Sequence, residues 1–274
     1  MRDSVTAMLR HLTLILLIAC SSKREVPAPR PALSFVPQEL SNELAGANIM
    51  IAVNVEQTDL SLPLSFLPPN TGCLRELVSS LGVAVILVGP DASEITAYAT
   101  KLPERATRAC LDQLIPTMGG TTGGGLGASY EVRMGNNSFS LTWANDIVTA
   151  RPLGALAVRR GAPSQEMRAL IGNVPGTATV FALALAFPER KIKNVIGWAQ
   201  IAGDTLEGQI RAEGTELGVV QPWLQGFIDG FTGAAESKQI MVDQRWFDGT
   251  LADPKGKLDI RIPVSMFRAA AGGR

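Results

Sequence analysis

Apolar residues fill both alternations of residues 47–55 (ANIMIAVNV), with Ile49, Ile51, Val53 and Val55 on one side, the pattern of a strand covered on both faces. Over residues 73–81 the period changes: Leu74, Leu77, Val78 and Leu81 fall at helical spacing and Gly82 stops the run. Two short apolar runs, 83–88 and 94–100, then flank a Gly89-Pro90-Asp91 turn and read as strands. A second helix is expected at 104–115, starting after Pro103 and carrying Ala106, Cys110, Leu111, Leu114 and Ile115. Beyond a glycine-rich stretch, strands are expected at 129–134, 138–143 and 147–151, the first two joined through Gly135-Asn136-Asn137.

Residues 152–176 read as a connector with a possible strand at 153–158 and a short helix at 164–171. The run 177–187 alternates Phe181, Leu183, Leu185 and Phe187 with alanines, a second core strand. Residues 189–199 carry Ile192, Val195, Ile196 and Ala199 at helical spacing, and 206–212 reads as a half-exposed strand. The clearest helix is 221–235, where Trp223, Leu224, Phe227, Ile228 and Phe231 make one stripe and Pro222 sits harmlessly in the first turn. Strands at 240–247 and 258–264 close as a hairpin around Asp253-Pro254-Lys255-Gly256.

The pattern is thus α+β, in two tandem modules: β-α-β-β-α-β-β-β over 39–151 and β-α-β-α-β-β over 177–268, separated by the connector. Their shared order suggests a degenerate duplication. Terminal hairpins after helices favour mostly antiparallel sheets with helices packed on one face over a doubly wound parallel sheet.

The first twenty residues form a separate signal. Arg2 and Arg10 precede the apolar run 12–18 (LTLILLI), and Ala19 precedes Cys20, the layout of an export peptide. The run is far short of the roughly 20 residues a membrane-spanning helix needs. Leu17-Ile18-Ala19-Cys20 resembles the lipobox of bacterial lipoproteins. The resemblance implies removal of residues 1–19 and a diacylglycerol thioether on Cys20, with a further acyl chain such as palmitate on its new amine. Two or more acyl chains anchor a protein stably where one does not. Ser21 stands where an aspartate would mark inner-membrane retention, so the resemblance favours the outer membrane in a Gram-negative host. Residues 20–38, with Pro27, Pro29, Pro31 and Pro37, read as a lipidated cysteine followed by an extended tether. Residues 269–274 read as a disordered tail.

Composition narrows the chemistry. The chain has 274 residues with 25 basic and 25 acidic side chains, so no positive excess recruits nucleic acid. Its single histidine, His11, leaves with the signal peptide, which excludes Ser-His-Asp triads, Cys-His pairs and imidazole-built zinc sites from the mature chain. Cys73 and Cys110, each on an apolar helix face, are joined as a disulfide, remain two buried thiols or supply a catalytic thiol. The segment 119–127 (GGTTGGGLG) lacks the ending of a phosphate loop and runs into a strand, so it reads as a surface loop. Glu207, Glu213, Asp229, Asp243 and Asp248 are the remaining acid–base candidates, and their spacing selects no pair. Asp243, Asp248 and Asp253 recur without the alternating ligands of a calcium loop. Trp223, Phe227 and Phe231 could contact a hydrophobic ligand, although packing on a sheet needs the same spacing. Arg190, Lys191 and Lys193 make a small basic patch.

These readings rank three functions. The first is a non-enzymatic, lipid-anchored envelope protein without cofactor or metal, held to membrane lipid by its acylated N-terminus and binding an envelope protein. The second is a periplasmic carrier of lipid or another hydrophobic ligand. The third, a carboxylate-based hydrolase, needs two carboxyl groups facing one cleft.

Overall fold

The computed structural model describes residues 36, 46–57, 72–90, 94–144, 147–158, 163–187, 191–237, 240–251 and 253–266. The segments read above as signal peptide, lipidated Cys20, tether (apart from Val36) and C-terminal tail, and Arg190 of the basic patch, lie outside these residues. The described chain falls into two compact units, one carried by Leu33–Glu56 and Leu67–Arg168, the other by Ala169–Arg274.

The first unit contains β1 (Ile49–Asn54), α1 (Gly72–Ser80), β2 (Val83–Val88), β3 (Ile95–Thr100), α2 (Glu104–Thr117), β4 (Thr121–Gly123), β5 (Tyr130–Met134), β6 (Asn137–Ala144) and β7 (Ile147–Pro152). Its strands lie in the order β1-β2-β3-β7-β6-β5-β4, every neighbouring pair antiparallel. The continuous apolar run of β1 has the cause its sequence suggested: Met50 and Ala52 on one face and Ile51 on the other are all buried. Met50 pairs with Leu87 and Leu87 with Thr96, and all three are fully buried. Val158, past the end of β7, donates its backbone N–H to Thr96 Oγ1 and lies over this row. The opposite face is covered near β5 by α2, where Ile115, Tyr130 and Val132 form a buried cluster flanked by Leu111, Leu141 and Trp143.

Two details differ from expectation here. The glycine-rich stretch contributes β4, whose three residues pair with Glu131–Arg133 of β5. Residues 153–158 form no strand, only an isolated parallel bridge between Leu156 and Glu94, because the chain turns just after β7, where the Ala155 N–H bonds the Pro152 carbonyl and Gly154 takes φ 85°. The connector does hold a short helix, α3 (Gln165–Ile171), whose Ser164 hydroxyl accepts the Met167 N–H as an N-cap.

The second unit runs β8 (Val180–Phe187), β9 (Ile192–Ala202), β10 (Thr205–Gly214), α4 (Val220–Glu236), β11 (Phe247–Thr250) and β12 (Lys255–Pro263). Its sheet order is β8-β9-β10-β12-β11, antiparallel throughout. The helix expected at 189–199 is instead the long strand β9. Ile192, Val195 and Ile196 are β-branched, and the segment lies between two strands that satisfy its backbone from both sides, which outweighs a short run of helical spacing. The hairpin turn Gly203-Asp204 that follows requires a left-handed backbone, supplied by Gly203 at φ 63°. With β9 a strand, the second unit reads β-β-β-α-β-β, and the order expected of two related modules is not shared.

The expected strand at 240–247 is also shortened. Asp243 accepts the Arg245 N–H and starts a 3₁₀ turn over Gln244–Trp246, leaving only Phe247–Thr250 to pair. Helix α4 matches its sequence stripe. Val220, Leu224 and Phe231 are buried against Ile210, Ala212, Leu258, Leu206 and Ile262 of β10 and β12.

Candidate functional site

Helix α2 carries two kinds of contact, and both shape the surface of the first unit. Glu104, Arg108 and Asp112 follow at four-residue spacing, so they share a stripe. Arg108 is only 5% exposed, and its burial is compensated on nearly every side. Nη1 donates to the carbonyl of Gly124 at 2.9 Å and Nη2 to that of Ala128 at 2.7 Å, while Nη2 lies 2.7 Å from Glu104 Oε1. The guanidinium stacks 4.6 Å from the Tyr130 ring centroid and 5.1 Å from that of Trp143. Its Nε is buried without a hydrogen-bond partner. Glu104 closes the circuit by accepting the Gly127 N–H at 2.9 Å.

The end of the glycine-rich segment and Ala128 just after it are therefore held at three backbone positions by one ion pair. Gly124 has φ 112°, and a Cβ there would come within 2.2 Å of the Ser129 carbonyl oxygen, so the loop can close onto Arg108 only with glycine at this position. One turn further along α2, Asp112 Oδ1 accepts from Thr122 Oγ1 at 2.5 Å and from Tyr130 Oη at 2.6 Å. The Thr122 and Tyr130 hydrogen bonds hold the Asp112 carboxyl below its ordinary value. Burial, reinforced by the bond to Asp112, pushes the Tyr130 phenol up to about 12.

On another side of α2, the Cys73–Cys110 disulfide ties the helix to α1 with 5.5 Å between the Cα atoms. Beside the bond lies an open groove of about 380 Å³ between the two helices. Leu77, Ala106 and Ala109 join the disulfide in its apolar lining, and Glu76 and Gln113 supply polar groups. Ser80 also lines it, with its hydroxyl donated to the Leu77 carbonyl at 2.8 Å.

The other candidate residues are dispersed. Trp223 and Phe227 pack partly buried against the Val220–Leu224–Leu258 cluster, and Phe231 is 1% exposed with its ring edge-on to Phe247 at 5.3 Å. All three build the core beneath α4. Glu207 accepts from Gln200 of β9 at 3.2 Å. Glu213 faces Lys193 at 3.2 Å and Lys255 at 3.8 Å. Burial raises the Glu213 carboxyl, but Lys193, Lys255 and Asn194 together outweigh it and leave the group below its ordinary value. Asp229 is bonded to Gln225 on its own helix, and Asp243 to Arg245. Asp248 stands on β11 opposite Asp259, whose carboxyl accepts from Gln209 and lies 2.7 Å from Lys257. Asp253 accepts the N–H groups of Val219 and Val220 at 3.1 and 2.6 Å and caps α4. In the basic patch, of which Arg190 lies outside the described residues, Lys191 pairs with Glu216 and Lys193 with Glu213. Among the described residues no group of three or more His, Cys, Asp or Glu could hold a metal ion, and no helix is long and apolar enough to cross a membrane.

Arg108, Asp112 and Tyr130 are the residues that the sequence pattern missed. The Glu-x-x-x-Arg-x-x-x-Asp spacing was the available signal, but it is shared by any solvated helix face.

Fold and site together define a mixed α+β protein built on antiparallel sheets, with a helical groove and a pinned glycine-rich loop on its first unit. The chain matches no family model and no curated protein. It is similar to solved structures of TP0453. Crystal form III superposes with a TM-score of 0.52 at 10% identity, over 84% of this chain and 96% of that one. Crystal form IV gives 0.51 at 11% identity, over 84% and 94%. At such identity the likeness is one of fold.

Proposed function

We propose that the protein is a lipid-anchored bacterial envelope lipoprotein that acts without catalysis, by binding another envelope component. The observation that carries this reading is the sequence Leu17-Ile18-Ala19-Cys20 behind a basic, then apolar, leader. Acylated Cys20 holds the chain to the membrane, and the proline-rich residues after it carry the folded units away from the bilayer. Ser21 directs it to the outer membrane where the host is Gram-negative. Binding is favoured over hydrolysis because the candidate carboxylates are spread over separate places: Glu207 and Glu213 stand six residues, about 20 Å, apart along β10, Asp229 lies on α4 bonded to Gln225, and Asp243 caps the 3₁₀ turn beside Arg245.

Metabolic labelling with radioactive palmitate tests the anchor. The wild-type chain should carry label and sediment with membranes, whereas Cys20→Ala should be unlabelled and retain its leader. An unlabelled wild-type chain would overturn the reading. Photo-crosslinking in intact cells from a probe at Gln113 then tests binding. One reproducible adduct of defined mass supports a partner, and absence of any adduct from several exposed positions speaks against one.

A further inference from the structure

We propose that the Cys73–Cys110 bond is a thiol–disulfide exchange site, opened by a dithiol that attacks Cys73 from the groove, and that its opening releases α1. This goes beyond the binding reading and does not depend on lipid anchoring.

Three observations support it. The two cysteines differ in exposure: Cys110 is 3% exposed in the middle of α2, whereas Cys73 is only partly buried in the first turn of α1. Both cysteines line the open groove of about 380 Å³, so an incoming thiolate has a path to the bond. Exchange depends on access and on which sulfur is attacked, and here Cys73 is the less buried member. The attachment of α1 is also slight: among its described residues only Leu77 is buried. The groove exists because α1 and α2 stand together, and the disulfide is the covalent link that keeps them so.

The reaction balances with a dithiol as the reductant. Its thiolate forms a new S–S bond with Cys73 Sγ, the Cys73–Cys110 bond breaks, and Cys110 leaves as a thiolate that takes a proton from water. The second thiol of the reductant then attacks the mixed disulfide and displaces the Cys73 thiolate. Two electrons pass to the protein and the reductant leaves oxidised. The consequence is mechanical: α1 loses its tether and the groove loses a wall, so partner binding there becomes sensitive to the redox state of the compartment.

The test uses the full mature chain under native conditions. Incubation with glutathione, a monothiol that cannot resolve its own adduct, followed by alkylation and peptide mapping, should place glutathione on Cys73 and the alkyl group on Cys110. Hydrogen exchange after dithiothreitol treatment should show residues 72–80 losing protection at least tenfold while β2 and β3 keep theirs. The double variant Cys73→Ser with Cys110→Ser should reproduce the reduced pattern without reductant. An adduct on Cys110, a bond that resists reduction until denaturant is added, or an α1 that stays protected once reduced would each overturn the proposal. So would loss of protection throughout β2 and β3, because the bond would then hold the whole unit together.

Discussion

Helix α4 meets its sheet through Val220, Leu224 and Phe231, none more than 1% exposed, whereas α2 meets its sheet through Ile115 and also through a buried guanidinium and an aspartate, and is tied to α1 by a disulfide. Both helices cover one face of an antiparallel sheet. An apolar stripe gains from every area it removes from water and needs no particular geometry, so α4 can be long and simple. A buried arginine gains only when its donors find acceptors, which is why α2 requires a glycine-rich loop folded to present the Gly124 and Ala128 carbonyls. The difference teaches that α4 is held by area and α2 by connectivity.

That contrast can be broken at graded cost. Phe231→Ala should be the most damaging change, about 4 kcal/mol, because a fully buried ring leaves a cavity under α4. Urea denaturation followed by circular dichroism would show it, and a loss under about 1 kcal/mol would mean that α4 is not held by area.

Arg108→Ala should cost about 3 kcal/mol, since Glu104 and two loop carbonyls lose their partner together. Arg108→Lys should restore little, because an ammonium cannot reproduce the fork that spans both carbonyls. Hydrogen exchange in residues 123–128 would distinguish the effects: the two Arg108 variants should deprotect the loop and Phe231→Ala should not.

Asp253→Ala removes the cap of α4 and should cost about 1 kcal/mol, visible as a lower thermal midpoint.

The effects confined to the extremes of pH are those on the Asp112–Tyr130 bond. Tyr130 keeps its proton to about 12 when folded against 10.0 unfolded, so its contribution is complete below pH 10 and is lost as pH rises towards 12. Asp112 lies below 3.8 when folded, so its contribution is present above that pH and is lost as pH falls through the lower folded value. Stability profiles should lose the alkaline limb in Tyr130→Phe and part of the acid limb in Asp112→Asn. Unchanged limbs would show that the bond does not couple to folding.

Legibility in the sequence follows the same division. Helices α1, α2 and α4 and strands β1 to β3 and β5 to β7 are readable because an apolar period maps directly onto a buried face. The stripe Trp223–Phe231 is the clearest case. Strand β9 was not readable, since Ile192, Val195, Ile196 and Ala199 satisfy a helical period over one short window, and only the pairing of both its edges decides the matter. Residues 240–243 failed for a local reason, the Asp243 side chain competing for a backbone donor. The Arg108 circuit was hidden for a third reason: its acceptors are main-chain carbonyls 16 and 20 residues away, and main-chain atoms leave no trace in the side-chain pattern.

The cap of α4 has a consequence in time. A chain emerges from its N-terminus, and the first turn of α4 is complete well before Asp253, 33 residues beyond Val220, has appeared. Until then the N–H groups of Val219 and Val220 have only water, and β10 lacks its pairing with β12. The second unit can therefore close only after the stretch from β11 to β12, which brings both the cap and the missing strand, has been made. A chain truncated before residue 253 should hold α4 as a fraying amphipathic helix exposed to chaperones and proteases.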